Sequence, residues 1–159
     1  MRLNVKVKKT RSYNQKIAKL KKQLKALHNS SVFIGYYNDQ GEHEDSGLTY
    51  VELMTIHEFG APDVNIPARP VLNLTENGGF FSEQDKIAIG NAFKGVFVKN
   101  IPISQPLNDI GQYYEDKGKA IFGQSPPLLN TVEGNPPLID TGDLQSKFSY
   151  RTSLTYKSQ

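Results

Sequence analysis

Few side chains in this 159-residue sequence have the types and spacing for chemistry. His57-Glu58 opens like a zinc-binding HExxH helix, but Phe59, Gly60 and Ala61 follow, so the second histidine is missing. His28 and His43 are the other imidazoles, and neither has a carboxylate at a spacing that completes a metal set. Glu42, His43, Glu44 and Asp45 read as a solvated loop. His57 then reads as a polar residue at a helix C-terminus, where a protonated imidazole is favoured. Asp140, in Leu138-Ile139-Asp140-Thr141-Gly142, has the setting of an acid–base carboxylate. That chemistry needs two such groups sharing one proton. The stretch after Gly142 is too short to build a cleft and a flap around them. The expectation is instead a turn or helix N-cap at Asp140 or Thr141, with Gly142 relieving the backbone. There is no G-x-S-x-G elbow and no glycine-rich phosphate loop. Cysteine is absent, which removes disulfides, thiolate zinc sites and thiol nucleophiles. No enzymatic activity, metal or cofactor is expected.

Charge is informative once it is divided along the chain. Residues 1–38 hold ten of the 19 basic side chains and none of the 16 acidic ones. The rest carries nine basic against 16 acidic side chains, a net of −7. Such a sequence dipole points to a polyanion or to an acidic neighbouring subunit. The lysines most exposed to such a partner are Lys16, Lys19, Lys21, Lys22 and Lys25. Base stacking is not signalled, because Tyr13 is the only aromatic before Phe33.

The elements that must position these groups follow from periodicity. Residues 3–7 alternate as a short strand. Ile17, Leu20, Leu24 and Leu27 make one narrow stripe on a helix over 13–27. Residues 31–37 are β-branched and aromatic and predict a buried strand. Residues 38–47 form a polar, acidic loop. Thr49 with Glu52 is a capping box for a helix that Gly60 stops. Its expected inner face is Val51, Met54, Leu53 and Phe59. Residues 62–70 hold three prolines and must be extended or turning. Asn77-Gly78-Gly79 is a break. Ser82 and Asp85 open a helix over 83–98, with Ala88, Ala92 and Val96 inward. Leu107, Ile110, Tyr114 and Ile121 place another near 105–122. Its Gly111 and Gly118 each weaken it by about 1 kcal/mol unless a neighbour needs close approach. Residues 147–156 alternate as a strand with Phe148, Tyr150, Thr152, Leu154 and Tyr156 on one face. The whole reads as α+β: a small, mostly antiparallel sheet with about four helices. The division is a basic strand and helix over 1–30, then one domain over 31–159 with an exposed proline-rich loop at 123–137. No apolar run is long enough for a membrane helix, and the basic start lacks the apolar core of a signal peptide.

Three strings occur in order: HEFG at 57–60, IPARPVL at 66–72 and PPLIDTGDL at 136–144, closed by the last strand. Together they resemble the tail-completion, or neck, proteins of long-tailed bacteriophages, a family of minor tail and virion morphogenesis proteins. Its members read H-x-F-G, then I-P-x-R-P/S-F-L, then P-L-x-D-T-G-x-L before a strand. The matching positions here are His57, Glu58, Phe59, Gly60, Ile66, Pro67, Arg69, Pro70, Leu72, Pro137, Leu138, Asp140, Thr141, Gly142 and Leu144. Val71 stands where the family has Phe. The resemblance spans roughly 49–156 and leaves out residues 1–30. It implies an α+β subunit of a hexameric ring in the virion, where tail meets head, assembled in the host cytoplasm and without catalysis. The implied partners are other copies of the chain, tail-terminator, tail-tube or head-connector proteins, and DNA passing through the lumen. Tail terminator and head-completion adaptor are alternatives within the family. Outside it, the competing class is a basic nucleic-acid-binding or DNA-processing protein. Arg69, held between Pro67 and Pro70, is expected to anchor its segment to Glu58, to helix C-terminal carbonyls or to Asp140.

Overall fold

A computed structural model describes residues 11–72, 81–124 and 142–153. Within them the chain is α+β. The order is α1 (Arg11–His28), β1 (Val32–Gly35), α2 (Tyr50–Phe59), α3 (Glu83–Val98), α4 (Ser104–Lys119), α5 (Asp143–Lys147) and β2 (Ser149–Thr152). No helix among the described residues is long and apolar enough to cross a membrane. The expected strand at 3–7, the break at 77–79 and the proline-rich loop from residue 125 onward lie outside the described residues.

The helix starts follow their caps. Thr49 Oγ1 accepts from Glu52 N (3.2 Å), and Glu52 Oε2 accepts from Thr49 N (2.9 Å). Ser82 and Asp85 repeat this reciprocal pair at α3 (3.2 and 2.8 Å), so two backbone donors at each start are satisfied.

β1 and β2 form one antiparallel ribbon, with Val32 opposite Thr152 and Ile34 opposite Tyr150. A two-stranded ribbon is marginal by itself. α4 supplies the support, because it packs across both strands. Gly111 and Gly118 make that approach feasible. A Cβ on Gly118 would overlap the Phe148 ring and come within 2.9 Å of its Cδ1. A Cβ on Gly111 would lie 2.6 Å from Tyr150 Cε2 and Cγ. The glycines that weaken α4 as a helix are the sites where Phe148, just before β2, and Tyr150, within it, press their rings.

The core joins Tyr50 and Met54 of α2, Val71, Tyr114, Ile121, Phe122, Leu144 and Phe148. Phe148 is fully buried, edge-on to Tyr36 (5.6 Å) and Phe122 (6.2 Å). Tyr36 then donates from its hydroxyl to Leu144 O at 2.7 Å.

Several expectations change. β1 is shorter than 31–37 and only Gly35 in it is buried: Val32 and Ile34 are half-buried, and Phe33 is 41% exposed. Phe59 is 71% exposed and Tyr50 takes its place in the core. Ala88 is exposed, and Ile89, one position on, packs inward. α4 ends at Lys119, so Ile121 and Phe122 reach the core from the following turn. Lys147 belongs to α5 rather than to the last strand. Leu154 and Tyr156 lie outside the described residues.

Candidate functional site

The chain reverses directly after α2. Gly60, at φ 77°, closes the helix by donating to Ile56 O (2.7 Å). Ala61 and Ile66 exchange two backbone bonds (2.8 and 3.0 Å) around a 3-10 turn at Pro62–Val64. Asn65, at φ 58°, completes that turn in the left-handed conformation that asparagine tolerates. The segment 66–72 is thereby laid back along the last turn of α2.

The HEFG and IPARPVL strings meet there as a clasp. Arg69 N donates to His57 O (2.6 Å), which pairs a carbonyl the helix end would leave open. The Glu58 carboxylate accepts from Val71 N (2.8 Å) and Leu72 N (3.2 Å). These are charge-assisted bonds to main chain, which fix a segment rather than a side chain. The Arg69 guanidinium lies 3.2 Å from His57 Nδ1 through its Nη1. A guanidinium only donates, so this imidazole nitrogen accepts and the ring is neutral. Burial, and then the Arg69 charge, push the His57 pKa below its ordinary value. Gly60 is required by contact as well as by conformation: a Cβ there would sit 2.8 Å from Ala68 N and 3.0 Å from Ile66 O.

This corrects two expectations. His57 does not act as a cation at a helix end, because it is half-buried and its Nδ1 faces the Arg69 guanidinium. Glu58 spends its carboxylate on the backbone of Val71 and Leu72, and the imidazole of His57 receives a guanidinium nitrogen of Arg69. Of the helix-end carbonyls, His57 O is reached by the Arg69 backbone, and the third expected partner, Asp140, lies outside the described residues.

The remaining motif positions divide by depth. Val71 is fully buried, Leu72 packs partly against the core, and Ile66, Pro67 and Pro70 are half-buried. Phe59 projects outward. From the third string, Gly142 is the N-cap of α5 at φ 82°, so the cap falls there and not on a side chain of Asp140 or Thr141. Leu144 is buried in the core that also holds Val71. The second and third strings therefore share one core through Val71, Leu72 and Leu144, and the first is tied to the second by the clasp, while Pro137, Leu138, Asp140 and Thr141 lie outside the described residues.

A groove of about 400 Å³ runs between α2 and the end of β1. Val51, Thr55 and Phe59 line one side, and Ile34, Gly35 and Leu72 line the other. The five α1 lysines are exposed, and among the described residues none of them is ion-paired. Among those residues there is also no cluster of three or more metal-ligating side chains.

A second polar cluster lies outside the motifs. Asp85, 6% exposed, accepts from Lys117 Nζ (2.9 Å) and the Tyr113 hydroxyl (3.0 Å). Burial raises its pKa, but Lys117, Ser82 and Tyr113 outweigh that and hold the carboxyl well below the usual carboxylate range. Sequence reading found Asp85 only as a cap. Lys117, 32 positions away, gave no local signal.

Neither a protein-family model nor a curated protein nor a solved structure matches the chain.

Proposed function

We propose that this chain is a structural subunit of the head–tail interface of a long-tailed bacteriophage, completing the tail and joining it to the head or connector as a homo-oligomeric ring. The observation that carries the reading is the clasp. Two strings that resemble the family's signature, HEFG and IPARPVL, form one interlocked unit, and the third reaches the same core through Leu144. His57 and Glu58 serve there as acceptors for Arg69 and for main chain, which suits a scaffold. On this reading the chain resides in the virion neck, is assembled in the host cytoplasm, and needs no cofactor.

One feature favours a second reading. The exposed lysines of α1 would suit a nucleic-acid-binding or DNA-processing protein acting by phosphate neutralisation. Negative-stain images of the purified protein, alone and mixed with tail tubes, separate the two. Rings, or caps on tube ends, support the joining role. Bare tube ends, together with DNA affinity that falls steeply with salt, would support the second reading and overturn the first.

A further inference from the structure

We propose that α1 is the docking element between copies of this chain: its apolar stripe seats in the α2–β1 groove of a second copy, and its lysines face that copy's acidic segment. This rests on the ring reading above and names the interface of the ring.

The first observation is a helix that the described residues leave largely exposed. None of the 18 residues of α1 is buried. Ile17, Leu20, Leu24 and Leu27 keep the spacing of a groove-binding helix, yet Leu20 is 40% exposed and Leu24 49%. An uncovered helix of this length is marginal in water. Its charges make it worse. Lys21 and Lys25 are four apart, and Lys16, Lys19, Lys22 and Lys25 follow one another at intervals of three, all like-charged neighbours on the helix surface. An acidic counter-surface relieves that repulsion.

The second observation is such a surface beside an apolar groove. Between residues 26 and 68 the chain holds seven carboxylates and no Lys or Arg. Glu42, Glu44, Asp45 and Glu52 among them are exposed and lead into or lie on α2. Phe59 stands 71% exposed at one end of the groove. The lengths are comparable: Val51 to Phe59 spans about 12 Å and Ile17 to Leu27 about 15 Å at 1.5 Å per residue. Among the described residues, Leu20 and Leu24 of the stripe and the Phe59 end of the groove stand open, while Gln23 ties α1 to the end of α3 through Val96 O (3.0 Å). A stripe on one copy that fits a groove on the next is a heterologous contact, the kind that closes rings. Phosphate neutralisation would need the lysines but not the exposed leucines, so the stripe favours protein over DNA.

Sedimentation of the full chain across concentration and salt tests this. Association should strengthen with concentration and weaken with salt. Lys19→Glu with Lys22→Glu should weaken it by about tenfold or more, as should Glu42→Lys with Glu44→Lys. Mixing the two variants should restore association. Leu24→Asp should abolish it with the helical signal retained. A chain that stays monomeric at every concentration overturns the proposal, and if it still caps tail tubes the joining role stands. Association that ignores both charge variants overturns it too, since the ring then uses another surface. Salt-steep DNA binding without self-association, lost in the lysine variant, would assign α1 to DNA instead. Charge variants that lower the monomer's melting temperature without altering association would place α1 on its own groove and equally overturn the proposal.

Discussion

Replacing Gly118 by alanine sets two effects of opposite sign against each other. Alanine is a better helix former than glycine by about 0.8–1.0 kcal/mol in a helix interior. Against this, the added Cβ would overlap the ring of Phe148, which has no exposed surface into which to retreat. Ordinary carbon contacts lie at about 3.5–4.0 Å, so the ring must give way by about 1 Å or more. Overpacking of this kind costs about 1–3 kcal/mol. The displaced ring also loosens its edge contacts to Tyr36 and Phe122, worth about 0.5–1.5 kcal/mol each. The net expectation is a loss of about 2–4 kcal/mol after the helix gain is subtracted. For a chain of this size that lowers the melting temperature by about 4–16 °C. Gly90, in α3, is the matched control, because nothing lies within 4 Å of a Cβ there. Gly90→Ala should therefore raise the melting temperature by about 2–4 °C. Thermal melts of both variants, followed by circular dichroism, decide the matter. If Gly118→Ala melts at or above the parent temperature while Gly90→Ala rises, the Phe148 ring does not press on α4 at Gly118.

Four further outcomes follow from these side chains. Arg69→Lys keeps the charge but loses the fork toward His57 and should cost about 1–3 kcal/mol, with Arg69→Ala worse; chemical denaturation of both measures it. Glu58→Gln replaces a carboxylate that holds Val71 N and Leu72 N and should cost a similar 1–3 kcal/mol or about that, read in the same assay. His57→Gln should flatten the pH dependence of stability below about 6.5. There the unfolded chain takes up a proton that the folded imidazole, held neutral by burial and Arg69, refuses, so parent stability falls as pH falls. Above that pH both states are neutral and the residue contributes no slope. Asp85 acts in a lower window, below its ordinary value of 3.8, where acid removes the stability its depressed pKa provides. Denaturation curves at several pH values separate the two.

The legible parts of this fold are those written locally. Thr49-x-x-Glu52 and Ser82-x-x-Asp85 fix their helix starts within four residues, and both caps stand where the pattern puts them. Gly60 stops α2 for a reason visible in sequence, but its second duty, the approach of Ala68, is not. Periodicity failed where tertiary packing chooses the face. Phe59 shares the face of Val51 and Thr55, which borders the groove, while Tyr50 and Met54, one position earlier on the neighbouring face, fill the core. The stripe on α1 was equally clear, but a stripe says only that a helix has an apolar face, not that its own chain covers it. The site shows the same division. Arg69 could be recognised as an anchor from its flanking prolines, since these hold its backbone extended. That His57 accepts from it while Glu58 turns to main chain depends on the angle of the 61–66 reversal, which no residue spacing encodes.

The central claim concerns where the chain works, and a three-dimensional reconstruction of the intact phage particle at its head–tail junction tests it most directly. The account predicts a closed symmetric ring of this chain between tail tube and head connector. A junction without the chain, or with a single copy of it, would contradict the account.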